Sequence, residues 1–192
     1  MSRVAFGLDF EHNYIAREVE DYDPPAAAAP IYEFRDASAP LLSTSWLALL
    51  ISPTDAPEWI GRFAIWYNVP PAINGVYSTP DPDRICVVGA GQAYIIDVRK
   101  PNNFARVRCF PINSVAQSPA TSRLVFADFT DLEAWDANDM VWESGRVALD
   151  ELEIIGTSGQ QLLCRGWDVD YHFEFDVDLI DGTVGDRREL PD

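Results

Sequence analysis

The sequence has few of the residues that catalytic and metal sites require. It contains two histidines, His12 and His172, and three cysteines, none of which lies in a C-x-x-C pair, so no zinc-finger spacing is present. The nucleophile motif G-x-S-x-G is absent, and so is the lysine of a phosphate-binding P-loop. Gly89-Ala90-Gly91 lacks the third glycine of a dinucleotide-binding loop, because Tyr94 stands there. We therefore expect no cofactor, no metal and no catalytic residue of a known motif.

Positive charge is also scarce. Lys100 is the only lysine, and 14 Lys and Arg stand against 31 Asp and Glu, which gives a net charge of −17. An anionic surface repels phosphates and anionic lipids and attracts cations and basic proteins. We expect a basic protein as partner, with no direct contact to nucleic acid or membrane. Acidity that serves only solubility is the plainer interpretation.

Long apolar runs are missing as well. The longest, Trp46 to Ile51, is far too short to span a bilayer, and residues 1–13 contain no apolar stretch of the kind found in signal peptides. These features predict a cytoplasmic protein of unknown oligomeric state. Its thiols are then expected to be reduced and mostly buried; they are Cys86, Cys109 and Cys164.

What the chain does contain is enough apolar material for a core. Of its 192 residues, 47% are hydrophobic and 12% aromatic, which suits one domain. We predict an acidic N-terminal extension over residues 1–40, in which Pro24 to Pro30 is a stiff linker, and a single β domain over residues 41–192.

The segments that follow are short, apolar and separated by turn residues. The region from Glu58 to Tyr67 is aromatic and predicts a helical turn followed by a strand. The predicted strands are 46–51, 85–88, 93–98, 124–127, 132–135, 152–155, 161–165 and 167–179. Short strands at this spacing are typical of antiparallel sheets built from repeated hairpins, in a sandwich or in a form like propeller blades.

Two of these stretches align with each other. Residues 73–97 match residues 112–136 without a gap at an offset of 39. The identical pairs are Ile73/Ile112, Asn74/Asn113, Val76/Val115, Pro80/Pro119, Arg84/Arg123 and Asp97/Asp136. Because the matches agree with the predicted strands and turns, the alignment favours an internal repeat.

The second unit resembles a β-propeller blade of the WD40 type. Ser118-Pro119 falls where such blades turn between strands, and Trp135-Asp136 matches the WD dipeptide. The first unit departs from the pattern with Ile96-Asp97, and no Gly-His pair precedes either unit. The resemblance implies a scaffold for protein binding and no catalytic residue. The chain is too short for the usual seven blades, and a sandwich of repeated hairpins would produce the same pattern.

The segment from Trp167 to Leu179 alternates strictly between apolar and polar residues. This pattern predicts one strand, either straight or interrupted by a bend or bulge, with an apolar face on the core and an opposite face of carboxylates and one histidine. Side chains on that face would be spaced about 6.7 Å apart, too far to converge on one calcium ion unless the chain bends. The predicted partner-binding residues are Asp168, Asp170, His172, Glu174, Asp176 and Asp178.

Besides calcium binding, this acidic row has two interpretations. It can be the solvated face of a sheet whose neighbouring strands supply arginines, or it can bind a basic partner. We favour a non-enzymatic acidic protein-binding module that neutralises a basic partner in the manner of an immunity protein or inhibitor. The alternatives are a structural or assembly protein and a glycan-active hydrolase that uses a carboxylate pair, such as Asp168 with Glu174 or Asp128 with Asp131.

Overall fold

The computed structural model describes residues 4–19, 29–35, 45–65 and 73–191. These residues form 17 strands in four sheets and contain no helix. The predicted mainly β fold of antiparallel hairpins is thus confirmed. The helical turn expected at the start of residues 58–67 is wrong, because a strand begins at Trp59 and its ring packs in the core.

The first and second sheets combine N-terminal strands with later ones. The first sheet has the order β2 (Tyr14–Val19), β4 (Ser45–Pro53), β5 (Trp59–Ile65), β3 (Ile31–Phe34). The second sheet has the order β1 (Ala5–Gly7), β6 (Gly75–Ser78), β7 (Arg84–Gly89), β8 (Gln92–Asp97), β9 (Phe104–Arg106). Pairing is antiparallel except for β1 with β6 and β3 with β5, which are parallel. The strands β1, β2 and β3 lie within the range 1–40 and pair with strands beyond it. Residues 24–28 of the predicted linker lie outside the described residues.

The third and fourth sheets are simple meanders, in which each strand pairs with the next along the chain. The third contains β10 (Ser114–Ser118), β11 (Arg123–Ala127), β12 (Asp131–Trp135) and β13 (Met140–Arg146). The fourth contains β14 (Asp150–Ser158), β15 (Gln161–Asp168), β16 (Tyr171–Asp178) and β17 (Arg188–Glu189). Strands β10, β11 and β12 begin 39 positions after β6, β7 and β8, at 114, 123 and 131 against 75, 84 and 92.

The four sheets stack face to face in chain order, and a separate apolar core fills each of the three spaces between them. In β7, Ile85 and Val87 face the first sheet, while Cys86 and Val88 face the third. The central strands of the second and third sheets, β7, β8, β11 and β12, are therefore buried on both faces, and this is why they read as nearly continuous apolar runs. The first and fourth sheets are the two ends of the stack. In the described part of the chain, no core cluster joins them to each other.

The turn at Gly89-Ala90-Gly91 is a hairpin connection between β7 and β8. Ala90 has a φ of 46° and Gly91 a φ of 79°, as a two-residue hairpin loop requires. A Cβ on Gly91 would lie 2.8 Å from Cβ of Pro111, so only glycine fits against the chain that enters the third sheet. The glycines thus serve the fold.

All three cysteines are free and buried, as predicted. Burial raises the pKa of the Cys164 thiol to about 12. It raises the pKa of Cys86 and Cys109 as well. Thiols held protonated in this way are poor nucleophiles at neutral pH. Across the four described ranges, no helix has the length and hydropathy needed to cross a membrane.

Candidate functional site

The acidic segment 167–179 folds as a hairpin. The prediction of one continuous strand is wrong: β15 ends at Asp168, Val169 and Asp170 form the turn, and β16 begins at Tyr171. Val169 has a φ of 40° although it is β-branched, and its side chain is 62% exposed. The usual turn residues, glycine and asparagine, are absent here, so no turn could be predicted at this position.

The turn divides the six predicted residues. Asp168 pairs with Tyr171 and continues the side of β15 that carries buried Leu162 and Cys164, so it faces inward at the end of the sheet. Asp170 lies at the hairpin tip. The other four residues, His172, Glu174, Asp176 and Asp178, follow one another on the outer face of β16. In this strand the predicted alternation is confirmed, since Phe173, Phe175 and Val177 are buried between them.

Arginines from neighbouring strands neutralise much of this face. Glu174 lies 3.0 Å from the guanidinium of Arg165, which is its direct cross-strand neighbour on β15. Asp176 lies 3.3 Å from Arg188, beside β16 on the edge strand β17. Both carboxylates therefore resemble those of an ordinary solvated sheet face.

The inward-facing Asp168 is also paired. It lies 2.8 Å from Arg187, whose guanidinium stacks 4.4 Å above the ring of Phe173 and donates to the carbonyl of Val147. This pair closes the open end of the core between the third and fourth sheets. We assign Asp168 a structural position, because its carboxylate is turned away from the outer face.

A groove of about 510 Å³ opens on the outer face of the fourth sheet, next to the hairpin tip and beside His172. Acidic, aromatic and apolar side chains form it, together with one arginine. Its lining consists of Glu151, Glu153, Arg165, Trp167, Asp170, Tyr171, His172, Leu190 and Pro191. The amide of Leu190 donates to the carbonyl of His172 and holds the C-terminal segment along the groove. We call this site the acidic groove.

Glu151 is fixed at the rim of the acidic groove in an unusual backbone conformation. Its φ is 54°, its amide donates to Asp150 Oδ1 at 2.7 Å, and its carboxylate lies 2.9 Å from Nε2 of His172. The strand pairing between β14 and β15 is irregular here, between Asp150 and Glu153. Such bulges re-aim side chains, and this one directs Glu151 across the groove toward β16.

A second groove of about 460 Å³ lies on the opposite side of Glu151, between the third and fourth sheets. Phe129 and Leu152 give it an apolar floor, and Glu151 and Glu153 border both grooves. Asn113 donates from Nδ2 to the carbonyls of Asp128 and Leu152, at 3.0 and 2.8 Å, and so joins the two sheets beneath it. The two glutamates therefore stand on a ridge between two depressions.

The carboxylate pairs considered for hydrolysis serve local structure. Asp128 Oδ1 accepts the amides of Thr130 and Asp131, both at 2.8 Å, and Asp131 Oδ2 accepts the hydroxyl of Thr130. Asp168 and Glu174 each hold a separate arginine and lie on opposite faces of the fourth sheet. Within the described residues, no group of three or more His, Cys, Asp or Glu side chains could hold a metal ion.

Glu133 is a buried carboxylate that sequence reasoning missed. It is 2% exposed, and its Oε2 accepts the amides of Arg108 and Cys109 at 2.8 and 3.0 Å. Its Oε1 accepts Nε1 of Trp135 at 2.7 Å. A charge in this position is satisfied by three donors and fastens the connection between the second and third sheets. The only signal in the sequence is its place two residues before a tryptophan on the same strand face.

No protein-family model matches the chain, and no curated protein matches it. Similar solved structures include apo AztD from Citrobacter koseri, at 10% sequence identity and a TM-score of 0.48, over 93% of this chain and 57% of that one. A crystal structure of the eukaryotic initiation factor is similar at 16% identity and a TM-score of 0.42, over 77% of this chain and 43% of that one. This chain thus spans about half the length of these two proteins, and what it has in common with them is a β-rich fold.

Proposed function

We propose that the protein binds a basic segment of another protein, without catalysing a reaction, and that the acidic groove receives it. The observation that carries the proposal is the charge balance of the groove. Glu151, Glu153 and Asp170 line it, and its single arginine, Arg165, is already paired with Glu174. A lysine or arginine from a partner would offset part of this negative charge.

An aromatic ring gives the groove a second means of recognising a cation. Trp167 is half-buried opposite His172 on the outer face, whereas the ring of Tyr171 packs inward, 6.0 Å from that of Phe173. A guanidinium over a ring such as that of Trp167 gains about 0.5–2 kcal/mol, more when it is desolvated. The combination of carboxylates and an aromatic ring favours arginine over a small inorganic cation.

The rest of the molecule supports fast capture of such a partner. With a net charge of −17, the protein attracts a basic protein from a distance, at a rate that falls as salt screens the charges. The proposed role is that of an immunity- or inhibitor-like protein on a scaffold that resembles WD40-type blades over residues 73–97 and 112–136. We propose the cytoplasm as its location, where buried thiols remain reduced.

The first test is a direct titration by calorimetry. An arginine-rich peptide and a neutral peptide of the same length would each be titrated into the full chain at low and high salt. We expect the arginine-rich peptide alone to bind, more weakly at high salt. Equal binding of both peptides, or of neither, would contradict the proposal.

Substitutions then separate the acidic groove from overall acidity. Glu153→Gln with Asp170→Asn removes two groove charges, and Glu11→Gln with Asp9→Asn removes two exposed charges elsewhere. We expect the groove variant to weaken peptide binding at least tenfold and the control to change it less than twofold. An equal loss in both would mean that only net charge matters.

The partner itself can be identified from host lysate. The immobilised chain would retain it at low salt and release it in a salt gradient, with identification by mass spectrometry. The proposal requires a basic protein that the groove variant fails to retain and the control variant retains.

A further inference from the structure

An exposed segment covers one edge of the fourth sheet. Residues 183–190 run antiparallel to β16 and include β17, and we call them the edge strap. All side chains from Thr183 to Glu189 are exposed, and none belongs to the apolar core between the third and fourth sheets. A segment held only by hydrogen bonds and ion pairs in contact with water opens at a low cost in free energy.

The backbone of the edge strap pairs with β16 in two separate stretches. The regular ladder is confined to β17, where Arg188 lies opposite Glu174. Farther along β16, Val184 bridges Val177, and the registers of the two stretches differ by one residue. The edge strap therefore bulges between them. A strand without the extra residue would pair with β16 in one continuous register and form an unbroken ladder of hydrogen bonds.

One arginine of the edge strap occupies a site built from three elements. Its Nη1 lies 2.8 Å from Asp168 Oδ2 at the end of β15. The Nη2 of the same residue, Arg187, donates at 2.9 Å to the carbonyl of Val147, just after β13. The guanidinium also stacks 4.4 Å above the ring of Phe173 on β16. A carboxylate, a carbonyl and a ring face together match the planar donors and the flat face of arginine.

The next arginine of the edge strap binds the opposite face of the sheet. Arg188 lies 3.3 Å from Asp176 on the outer face of β16, whereas Arg187 reaches inward to Asp168. Consecutive side chains of an extended segment point to opposite faces in this way. The edge strap is thus a ligand that the chain supplies to its own sheet, an extended segment with two adjacent arginines.

We propose that the edge strap is displaceable and that the basic partner adds a strand to the edge of β16 in its place. This inference rests on the proposed function and specifies the partner further. The partner segment is extended and carries two adjacent arginines, one for the site at Asp168 and one for Asp176. In strand addition, main-chain hydrogen bonds provide affinity and alternate side chains provide specificity.

The edge strap would then limit the affinity for the partner. A ligand binds only the fraction of molecules whose site is open, so its apparent affinity falls by that fraction. A tethered segment competes at an effective concentration of about millimolar or more. Any change that loosens the edge strap should therefore tighten binding of the partner, and any change that fixes it should weaken binding.

The edge that the strap covers is continuous with the acidic groove. Leu190 lines the groove, and its amide donates to the carbonyl of His172. A partner strand that followed the course of the edge strap would enter the groove two residues after its arginine pair. The groove and the edge of β16 are then two parts of one binding surface.

The first test loosens the edge strap without changing its charge. Leu190→Pro removes the amide that donates to His172, whereas the matched control Leu190→Ala shortens the same side chain and keeps the amide. We expect the arginine-rich peptide to bind the full-length proline variant at least fivefold more tightly than the alanine variant in calorimetry. Equal affinities, or weaker binding to the proline variant, would overturn displacement of the edge strap.

A disulfide lock tests the converse. Glu174→Cys with Arg188→Cys places two thiols at direct cross-strand neighbours and leaves the net charge unchanged. Opposed Cα atoms of an antiparallel pair lie about 4.5–5.5 Å apart, within the range of a disulfide. The native cysteines are buried and should not interfere.

We expect the oxidised lock to bind the arginine-rich peptide at least tenfold more weakly than the reduced form of the same variant. Equal binding by both forms would overturn strand addition and leave the proposed function in the acidic groove intact. A peptide that binds neither form and does not bind the wild type would overturn the proposed function together with this inference.

The spacing of the arginines has its own test. Two peptides of identical composition would be titrated into the Leu190→Pro variant, one with its two arginines adjacent and one with a single residue between them. The second peptide places both arginines on one face of the added strand. We expect it to bind at least fivefold more weakly than the first, and equal affinities would overturn the assignment of the two arginine positions.

Discussion

The two ends of the stack are built alike on the inside and differently on the outside. Each end sheet packs one apolar face on its inner neighbour. The outer face of the fourth sheet carries carboxylates held by Arg165 and Arg188, whereas that of the first sheet carries rows of aliphatic side chains. In a stack of sheets, a terminal face must be polar to remain in water. The comparison therefore separates an end whose outer face is charged from an end whose outer face is mostly aliphatic.

The largest expected effect is at Glu133, which joins the second and third sheets that lie between the two ends. Glu133→Ala leaves the amides of Arg108 and Cys109 and the indole of Trp135 without their acceptor. We expect a loss of about 3–5 kcal/mol in the free energy of unfolding, measured with urea. Glu143→Ala is the control, because Glu143 lies opposite Glu133 on β13 but is exposed, and it should cost less than about 0.5 kcal/mol. Similar small losses in both would show that the joint does not depend on the buried charge.

Alkaline pH sharpens the comparison of the two cores. Cys164 lies beneath the fourth sheet with a pKa raised from 9.0 to about 12, and burial also raises the pKa of Tyr14 beneath the first. For a raised pKa, the unfolded state loses its proton first. The contribution of the neutral thiol to the free energy of unfolding is therefore fully present below pH 9 and is lost between about pH 9 and 12.

Each thiol that ionises only in the unfolded state should lower the free energy of unfolding by about 1.4 kcal/mol per pH unit. Cys164→Ala should make the decline between pH 9 and 11 shallower than in the wild type, as measured by urea unfolding at each pH, while stability between pH 6 and 8 changes in parallel for both. An unchanged slope would contradict burial of the thiol.

A substitution at the strained hairpin tip beside the acidic groove should increase stability. Val169→Gly relieves a φ of 40° at an exposed position, and we expect the free energy of unfolding to rise by about 1 kcal/mol. The melting temperature should rise by about 2–4 °C. Val141→Gly, at an exposed position within β13, should lower it instead. A loss at Val169 would mean that its side chain contributes more than its backbone costs.

The smallest expected effect comes from removing a surface arginine, and it should differ between the fourth sheet and the first. Arg165→Ala removes the partner of Glu174, and we expect a loss of about 1 kcal/mol or less that shrinks in high salt. Arg17→Ala, at an exposed position on β2 of the first sheet, should leave the free energy of unfolding unchanged. Thermal melts at two salt concentrations measure both, and a loss at Arg17 as large as the one at Arg165 would contradict this contrast.

Sequence patterns located the central strands of the inner sheets, β7, β8, β11 and β12, because burial on both faces produces continuous apolar runs such as Ile85–Val88. The outer strands β6, β9, β10 and β13 of the same sheets were missed; in β13, for example, the buried Trp142 is flanked by exposed residues and the pairing is irregular. Pairing of β2 and β3 with later strands depends on long-range register, which local periodicity does not encode.

The placement of the acidic residues was predicted only in part, because alternation within a strand is a local pattern whereas turns and bulges need not be. Alternation correctly placed His172, Glu174 and Asp176 on one face of β16. It failed at Val169, because a hairpin that turns on a β-branched residue has no signature in the sequence. The glutamates of β14 reach the groove through a bulge, and a bulge shifts register in a way that composition cannot show.

The order of the pairings also bears on how the chain folds during its synthesis. The strand β1 is made first but pairs with β6, so it must wait until Gly75 to Tyr77 have left the ribosome. The third and fourth sheets pair only neighbouring strands, and loops this short close quickly. We therefore expect the last sheets made to form soonest after they emerge, whereas the N-terminal strand remains unpaired longest and is the segment with the greatest need of protection on the nascent chain.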